Sequence, residues 1–242
     1  MKNSALIELE DISFSYPATP HPVLKDLNLV INPKERLGLM APNGSGKTTL
    51  LHTIMGICRP QKGRIKIFGT PMETEKDFAA IRTQVGLLFQ DSDDQLFCPS
   101  VLDDVAFGPL NQGLGKKKAK IAAETILEQL GISHLKTSIT HRLSGGQKRL
   151  VALASVLAMS PRVLLLDEPT SGLDNDVKNH LVRVLNDLDV SYLVISHEFD
   201  FIQSVTDKIF SMERGKILTD NEIHVHRHEH FHRHGNQPHH HK

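Results

Sequence analysis

Residues 44–49 read Gly-Ser-Gly-Lys-Thr-Thr, between the apolar run "RLGLM" (36–40) and a stretch, "TTLLHTIMGI", with helical spacing that stops at Gly56. A strand, a glycine-rich turn and a helix start aim backbone N–H groups at one point, and the positive end of the helix dipole adds to them. A phosphate chain suits such a point. In the phosphate-binding pattern the lysine meets the β- and γ-phosphates and the following hydroxyl can ligate Mg²⁺, which assigns those tasks to Lys47 and Thr48. That pattern opens on a glycine, and Ala41 stands in its place. The donors come from Gly44, Ser45, Gly46, Lys47, Thr48 and Thr49, while Ala41, Pro42 and Asn43 lead in from the strand end. Alanine therefore costs about 1–2 kcal/mol only if position 41 needs a positive φ.

Downstream lie other groups with chemistry. "VLLLDEP" (163–169) places Asp167 and Glu168 at the end of a strand whose dryness follows from Val163–Leu166. Beside a phosphate loop, the first acid would help to hold Mg²⁺ and the second would orient and polarise an attacking water. "LLFQ" places Gln90 after another strand, and "VISH" places His197 after a third. "LSGGQ" spans Leu143–Gln147. Its Ser144, Gly145 and Gly146 open a helix and so form a second anion site. A plain Ser-Gly-Gly cap accounts for the helix start there and leaves Gln147 unexplained.

The elements that position these groups follow from periodicity. "IELEDISFSY" and "LKDLNLVI" alternate and read as an antiparallel β region with one wet face. The continuous apolar strands "RVLLLD" and "SYLVIS" flank a helix with Val177, Leu181, Val184, Leu185 and Leu188 on one side, a pattern of a parallel sheet covered on both faces. Between Phe89 and Pro161 the pattern is mostly helical, with Ile121, Thr125, Ile126 and Leu130 in register before Gly131. "KIFSME" and "GKIL" close the fold. The expected class is α/β: a phosphate-loop NTPase core with a mainly parallel sheet, an N-terminal antiparallel β region and an inserted helical subdomain over about 90–162. The catalytic domain is expected over 1–220, and a His-rich tail without packed structure over 221–242.

The set "GSGKTT", "LLFQ", "LSGGQ", "VLLLDEP", "SGLD" and "VISH", in this order and spacing, resembles the ATP-binding cassette ATPases over nearly all of residues 3–218. The resemblance implies ATP and Mg²⁺ as cofactors. It implies that Gln90 senses Mg²⁺ and the water and links the helical insert to the core, and that His197 bonds the γ-phosphate. Tyr16 in "FSYP" is similar to the family's aromatic platform for adenine. The resemblance also implies that "LSGGQ" meets the ATP on a partner's loop in a head-to-tail dimer, with Asp174 at the interface. Both halves are intact here, so a homodimer would have two competent sites; pairing with a related ATPase is the alternative.

The segment "FQDSDDQLFCPSVLDDVAFGP" (89–109) resembles the ATPases of energy-coupling-factor importers, particularly the cobalt and nickel branch. That likeness implies a groove for an integral-membrane coupling protein, a membrane substrate-binding component and a peripheral position at the cytoplasmic face of the cell membrane. Leu96, Phe97, Val101 and Phe107 are the candidate groove contacts. The tail "HVHRHEHFHRHGNQPHHH" carries His224, His226, His228, His230, His232 and His234, then His239, His240 and His241. Several neutral imidazoles on one chain suit Ni²⁺, Co²⁺, Zn²⁺ or Cu²⁺ without selecting among them.

Composition narrows the rest. Lys plus Arg and Asp plus Glu balance at 28 each and Trp is absent, so neither a basic footprint nor a stacking platform for nucleic acid is present. Cys58 and Cys98 lack metal or redox spacing and read as small buried hydrophobes. The most apolar stretch, Leu150–Met159, falls short of the ~20 residues that span a bilayer.

Overall fold

The computed structural model describes residues 4–17, 19 and 21–218. Strands β1 (Ile7–Phe14) and β2 (Leu24–Ile31) pair antiparallel, from Ile7 opposite Ile31 to Phe14 opposite Leu24. Strand β3 (Arg36–Met40) runs into the glycine-rich loop and helix α1 (Lys47–Ile54). The chain returns through β4 (Lys62–Ile67) and β5 (Thr70–Pro71), which complete a four-stranded sheet in the order β2-β1-β4-β5. Alternation leaves Ile7 and Leu9 on β1 and Leu27, Leu29 and Ile31 on β2 buried, and irregularities at Asp11 and Asp26, both with positive φ, reset the period so that Ile12 and Leu24 are buried too.

After α2 (Glu75–Ile81) and β6 (Val85–Leu88) come three helices, α3 (Val101–Asn111), α4 (Lys116–Gln129) and α5 (Gly145–Leu157). Then follow β7 (Val163–Asp167), α6 (Asn175–Asp187), β8 (Ser191–Ser196), α7 (Phe199–Val205), β9 (Lys208–Glu213) and β10 (Lys216–Leu218). The second sheet has the order β10-β9-β3-β8-β7-β6, parallel from β9 to β6 with β10 antiparallel at its edge. The fold is thus the expected α/β arrangement.

Both faces of the parallel sheet are covered, which is why its central strands are apolar without interruption. Leu37, Leu39, Val163, Leu165, Leu193 and Ile195 share one core with α1 and the antiparallel sheet. Leu164, Leu166, Tyr192 and Val194 share the other with the helices, and that core continues into α3, α4 and α5. On β3, a Cβ at Gly38 would lie 2.2 Å from the side chain of Ile202, so only glycine lets α7 sit this close.

Two sequence expectations, on Val101 and Cys98, need correction, and one is refined. Helix α4 exists, but its buried face is Ala119, Ala123 and Leu127, and Ile121 is 54% exposed. Small alanines let α4 approach its neighbours; of the larger residues in the periodic run, Leu130 is buried, Ile126 packs partly against the core and Ile121 turns outward. Val101 is fully buried and is not a surface contact; Phe97 and Phe107 are exposed, packed edge-to-face with centroids 4.7 Å apart. Cys58 is buried as expected, whereas Cys98 is only half-buried. The nine tail histidines lie outside the described residues. Among the described residues no helix is long and apolar enough to cross a membrane.

Candidate functional site

The parallel strands β3, β7 and β8 end side by side, and their ends deliver the loop, the acid pair and His197 to one place. Gly44 and Gly46 take positive φ values of 79° and 104°, a conformation that favours glycine, and Gly46 caps α1. Ala41 does not take a positive φ and is buried in the core, so the departure from the pattern carries no backbone strain. The Pro42 carbonyl accepts a hydrogen bond from the Ser45 N–H at 3.2 Å, closing the turn.

Inside the loop the charges are already paired. Lys47 Nζ donates to Glu168 Oε1 at 2.5 Å and to Asn43 Oδ1 at 3.0 Å. Thr48 Oγ1 donates to Asp167 Oδ2 at 3.0 Å. His197 Nδ1 lies 2.9 Å from the other Glu168 oxygen. Burial pushes the Asp167 carboxyl above the usual carboxylate range, against the opposing pull of the Thr48 hydroxyl and the Lys47 charge.

These residues fit a magnesium–nucleotide. Asp167 Oδ1, in the acid pair, and Ser45 Oγ, in the loop, are buried polar atoms without a hydrogen-bond partner. A buried carboxylate with one free oxygen beside a threonine hydroxyl is a hard-oxygen donor set of the kind Mg²⁺ takes. Tyr16 stands over the start of α1, its hydroxyl 3.2 Å from Thr49 Oγ1 and its ring held edge-on by Phe14 at 4.9 Å. The ring is 41% exposed and can offer a face to a base.

The "LSGGQ" segment is held differently. Leu143 is buried; Ser144 caps α5, accepting from the Gln147 N–H, while Gln147 Oε1 accepts from the Ser144 N–H. This capping box supplies the local reason for Gln147 that a simple cap lacked. Ser144 and Gly145 are exposed, and a Cβ at Gly145 would meet nothing within 4 Å; one at Gly146 would press Val177 at 3.1 Å. Asp174 caps α6, accepting from the Val177 N–H at 2.9 Å. A groove of about 740 Å³ is lined by Thr48, Gln90, Asp93, Lys148, Asp167 and Gly145, so the loop and the α5 start open onto one surface. The Gln90 side chain is exposed on it.

Sequence reasoning passed over Arg149. It is 3% exposed, and its guanidinium donates to main-chain carbonyls of Phe89, Gln90, Asp167, Glu168 and Pro169. Burial pulls its pKa down to about 10. The available clue was a charged residue at a position of α5 otherwise flanked by core residues, Leu150 to Leu153. Glu198 was also passed over: it accepts from Thr170 at 2.9 Å and from Lys178 at 2.6 Å, tying α6 to the strand end that carries His197.

Residues 24–171 match the family model described as ABC transporter. This chain belongs to the ABC transporter ATPases. It is 40% identical to the cobalt import ATP-binding protein CbiO of Rhodobacter capsulatus over 219 residues, covering 89% of this chain and 78% of that protein. The same identity over the same length links it to the energy-coupling factor transporter ATP-binding protein EcfA of Methanocaldococcus jannaschii, again with 89% and 78% covered. The solved structure of cbiO1 from Clostridium perfringens, part of the ABC transporter complex cbiONQ, superposes with a TM-score of 0.80 at 35% identity, covering 88% of this chain and 87% of that one. As an ABC ATPase the protein binds ATP with Mg²⁺ and hydrolyses it, and the described fold is the one its relatives share.

Proposed function

We propose that this chain is the ATP-hydrolysing motor of a membrane importer for transition-metal ions, nickel or cobalt. The observation that carries the importer reading is the exposed Phe97–Phe107 pair, on a chain without a membrane-crossing helix among its described residues. Exposed paired aromatics of this kind suit docking by an apolar helix of an integral-membrane partner. In this reading the protein is peripheral at the cytoplasmic face, with a second membrane component binding the cargo. The metal cargo is favoured by similarity to the cobalt importer CbiO and by the His-rich sequence 224–241, which can hold Ni²⁺, Co²⁺ or Zn²⁺. Equal identity to EcfA supports a second reading, an energy-coupling-factor importer for a vitamin.

The same reading gives the site residues these roles, which their placement at neighbouring strand ends supports. Gly44 to Thr49 cradle the phosphates, and Tyr16 stacks on the adenine. Lys47 leaves Glu168 for the β- and γ-phosphates, which frees Glu168 to orient the water, with His197 steering the γ-phosphate from the adjacent strand end. Thr48, Asp167 and Gln90 hold Mg²⁺, which when bound neutralises charge on the phosphates. Ser144, Gly145 and Gly146 present N–H groups to ATP on the partner's loop, with Asp174 beside them, in a homodimer or a dimer with a related ATPase. We further read 1–220 as the ATPase domain, about 90–162 as its helical subdomain, and 221–242 as a tail.

The test is co-expression with the membrane-protein genes adjacent to this one, with cellular Ni, Co, Zn and Cu measured by elemental analysis and a Glu168→Gln strain as control. Ni or Co accumulation that disappears in the control is expected. Unchanged metal content with active ATPase would move the cargo to the vitamin class.

A further inference from the structure

Arg149 lies on α5, five residues after the exposed Ser144. Its Nε donates to Pro169 O at 3.0 Å; Nη2 donates to Asp167 O at 2.9 Å and to Glu168 O; Nη1 donates to Gln90 O at 3.1 Å and to Phe89 O. Guanidinium carries five N–H donors in a rigid fork, and here they meet five carbonyls from the ends of two neighbouring strands, β6 and β7. A lysine has neither the number nor the planarity to do this. Burying this charge is costly even with the carboxylates of Asp167, Asp91 and Glu168 favouring it, so the arrangement does something that an apolar residue at this core position would not.

Glu168 indicates what that is. Its φ is +43°, a left-handed conformation disfavoured for any residue with a Cβ. Such a conformation persists where the surroundings over-determine it. Here the Glu168 N–H donates to Ile195 O at 2.9 Å and its carbonyl accepts from Arg149, so the residue is pinned on both sides. With the backbone turned this way, the carboxylate points back at Lys47 and His197. The same guanidinium holds the main chain of Gln90, the other group assigned to the water and the metal.

We propose that Arg149 is a positioning residue for ATP hydrolysis: it holds Glu168 in its left-handed conformation and Gln90 in step with it, and so relays the orientation of α5, set at Ser144 and Gly145, to the water-orienting carboxylate. The proposal rests on the reading of Glu168 given above. It separates two effects that a scaffold role would merge, because the hydrogen bonds of the Arg149 guanidinium go to the strand ends at 89–90 and 167–169 and none goes to the loop that grips the nucleotide.

Arg149→Lys is the test, read by steady-state turnover, binding of a fluorescent ATP analogue and thermal melting. Turnover should fall on the order of 100-fold, the loss expected from misplacing a reacting group by about 1 Å, with nucleotide affinity within about 3-fold of wild type. A double-mutant cycle then tests the route. In a Glu168→Gln background, Arg149→Lys should lower single-turnover hydrolysis by less than about 3-fold, because the group through which it acts is already gone. Turnover near wild type, affinity lost in step with turnover, or a full further loss in the Glu168→Gln background would each overturn the relay. If Arg149→Lys does not fold, Arg149→Gln, which keeps two donors, takes the same measurements; if neither folds, Arg149 belongs to the scaffold and the proposal falls. Wild-type turnover in Glu168→Gln alone would instead overturn the reading of Glu168.

Discussion

Two helix starts face the same groove and are built in opposite ways. At the start of α1 every charged side chain already has a partner within the chain: Lys47 with Glu168 and Asn43, Thr48 with Asp167, His197 with Glu168. Lys47, Asp167 and Glu168 are buried, and the whole assembly is preorganised on three parallel strand ends. At the start of α5 the side chains are small and exposed, and the capping box satisfies the chain locally while Gly145 faces open space. In the proposed reading, the first start belongs to the reaction centre; the second is an exposed surface. The difference teaches that one chain can preorganise a buried set of polar side chains while leaving a second helix start open, as the proposed head-to-tail dimer would require.

Predictions sharpen or break that contrast. Glu168→Gln should lower turnover on the order of 1,000-fold with nucleotide binding retained, measured by phosphate release and by equilibrium binding; retained turnover would remove Glu168 from the reaction. Val101→Asp, at a fully buried site, should destabilise by about 3 kcal/mol or more in a denaturant melt, whereas Phe97→Asp on the exposed patch should change stability by only about 0.5 kcal/mol. Similar losses for both would mean that Phe97 belongs to the core. Gly145→Asp adds a charge where a side chain has room, so turnover should fall about 30-fold while melting temperature and monomer nucleotide affinity hold; unchanged turnover would make that face inert.

A smaller effect concerns Cys98. Burial, then the charge of Asp104, pushes its thiol up to about 11. At pH 8 little thiolate forms, so alkylation should be roughly 100-fold slower than for a free thiol, and Asp104→Asn should speed it by about 5-fold, read by mass spectrometry. The sign is fixed: a raised thiol pKa means less thiolate at any pH below it. Smallest of all, Ala41→Gly should change ATP affinity by less than about 2-fold, because residue 41 does not take the positive φ that would make glycine matter. A large gain in affinity would show that the loop is strained at its entry.

Much of the site was legible in the linear order of residues. Loop, acid pair, His197 and Gln90 each follow a short apolar strand, and strand ends in a parallel sheet converge by necessity. A charge flanked by core residues hinted at Arg149, but its role was not legible, because its partners are main-chain carbonyls of residues at 89, 90 and 167–169, which no side-chain pattern announces. The buried face of α4 needed the structure for a related reason. Periodicity gives a helix and a stripe, but which stripe packs depends on how closely the neighbouring helices come, and alanines at 119 and 123 win where contact is tight.

The sequence alone determined the phosphate loop, the kinds of strand and helix, the acid pair and the family to which the chain belongs. These depend on local backbone preference, on hydrophobic period and on residue types at fixed spacing, all written along the chain. Only the tertiary structure decided that Lys47 bonds Glu168, that Glu168 is left-handed, that Val101 is core while Phe97 is surface, and that Arg149 ties α5 to the acid pair. Those outcomes depend on which distant segments share one desolvated volume, and burial and hydrogen-bond satisfaction act on that volume rather than on neighbours in sequence.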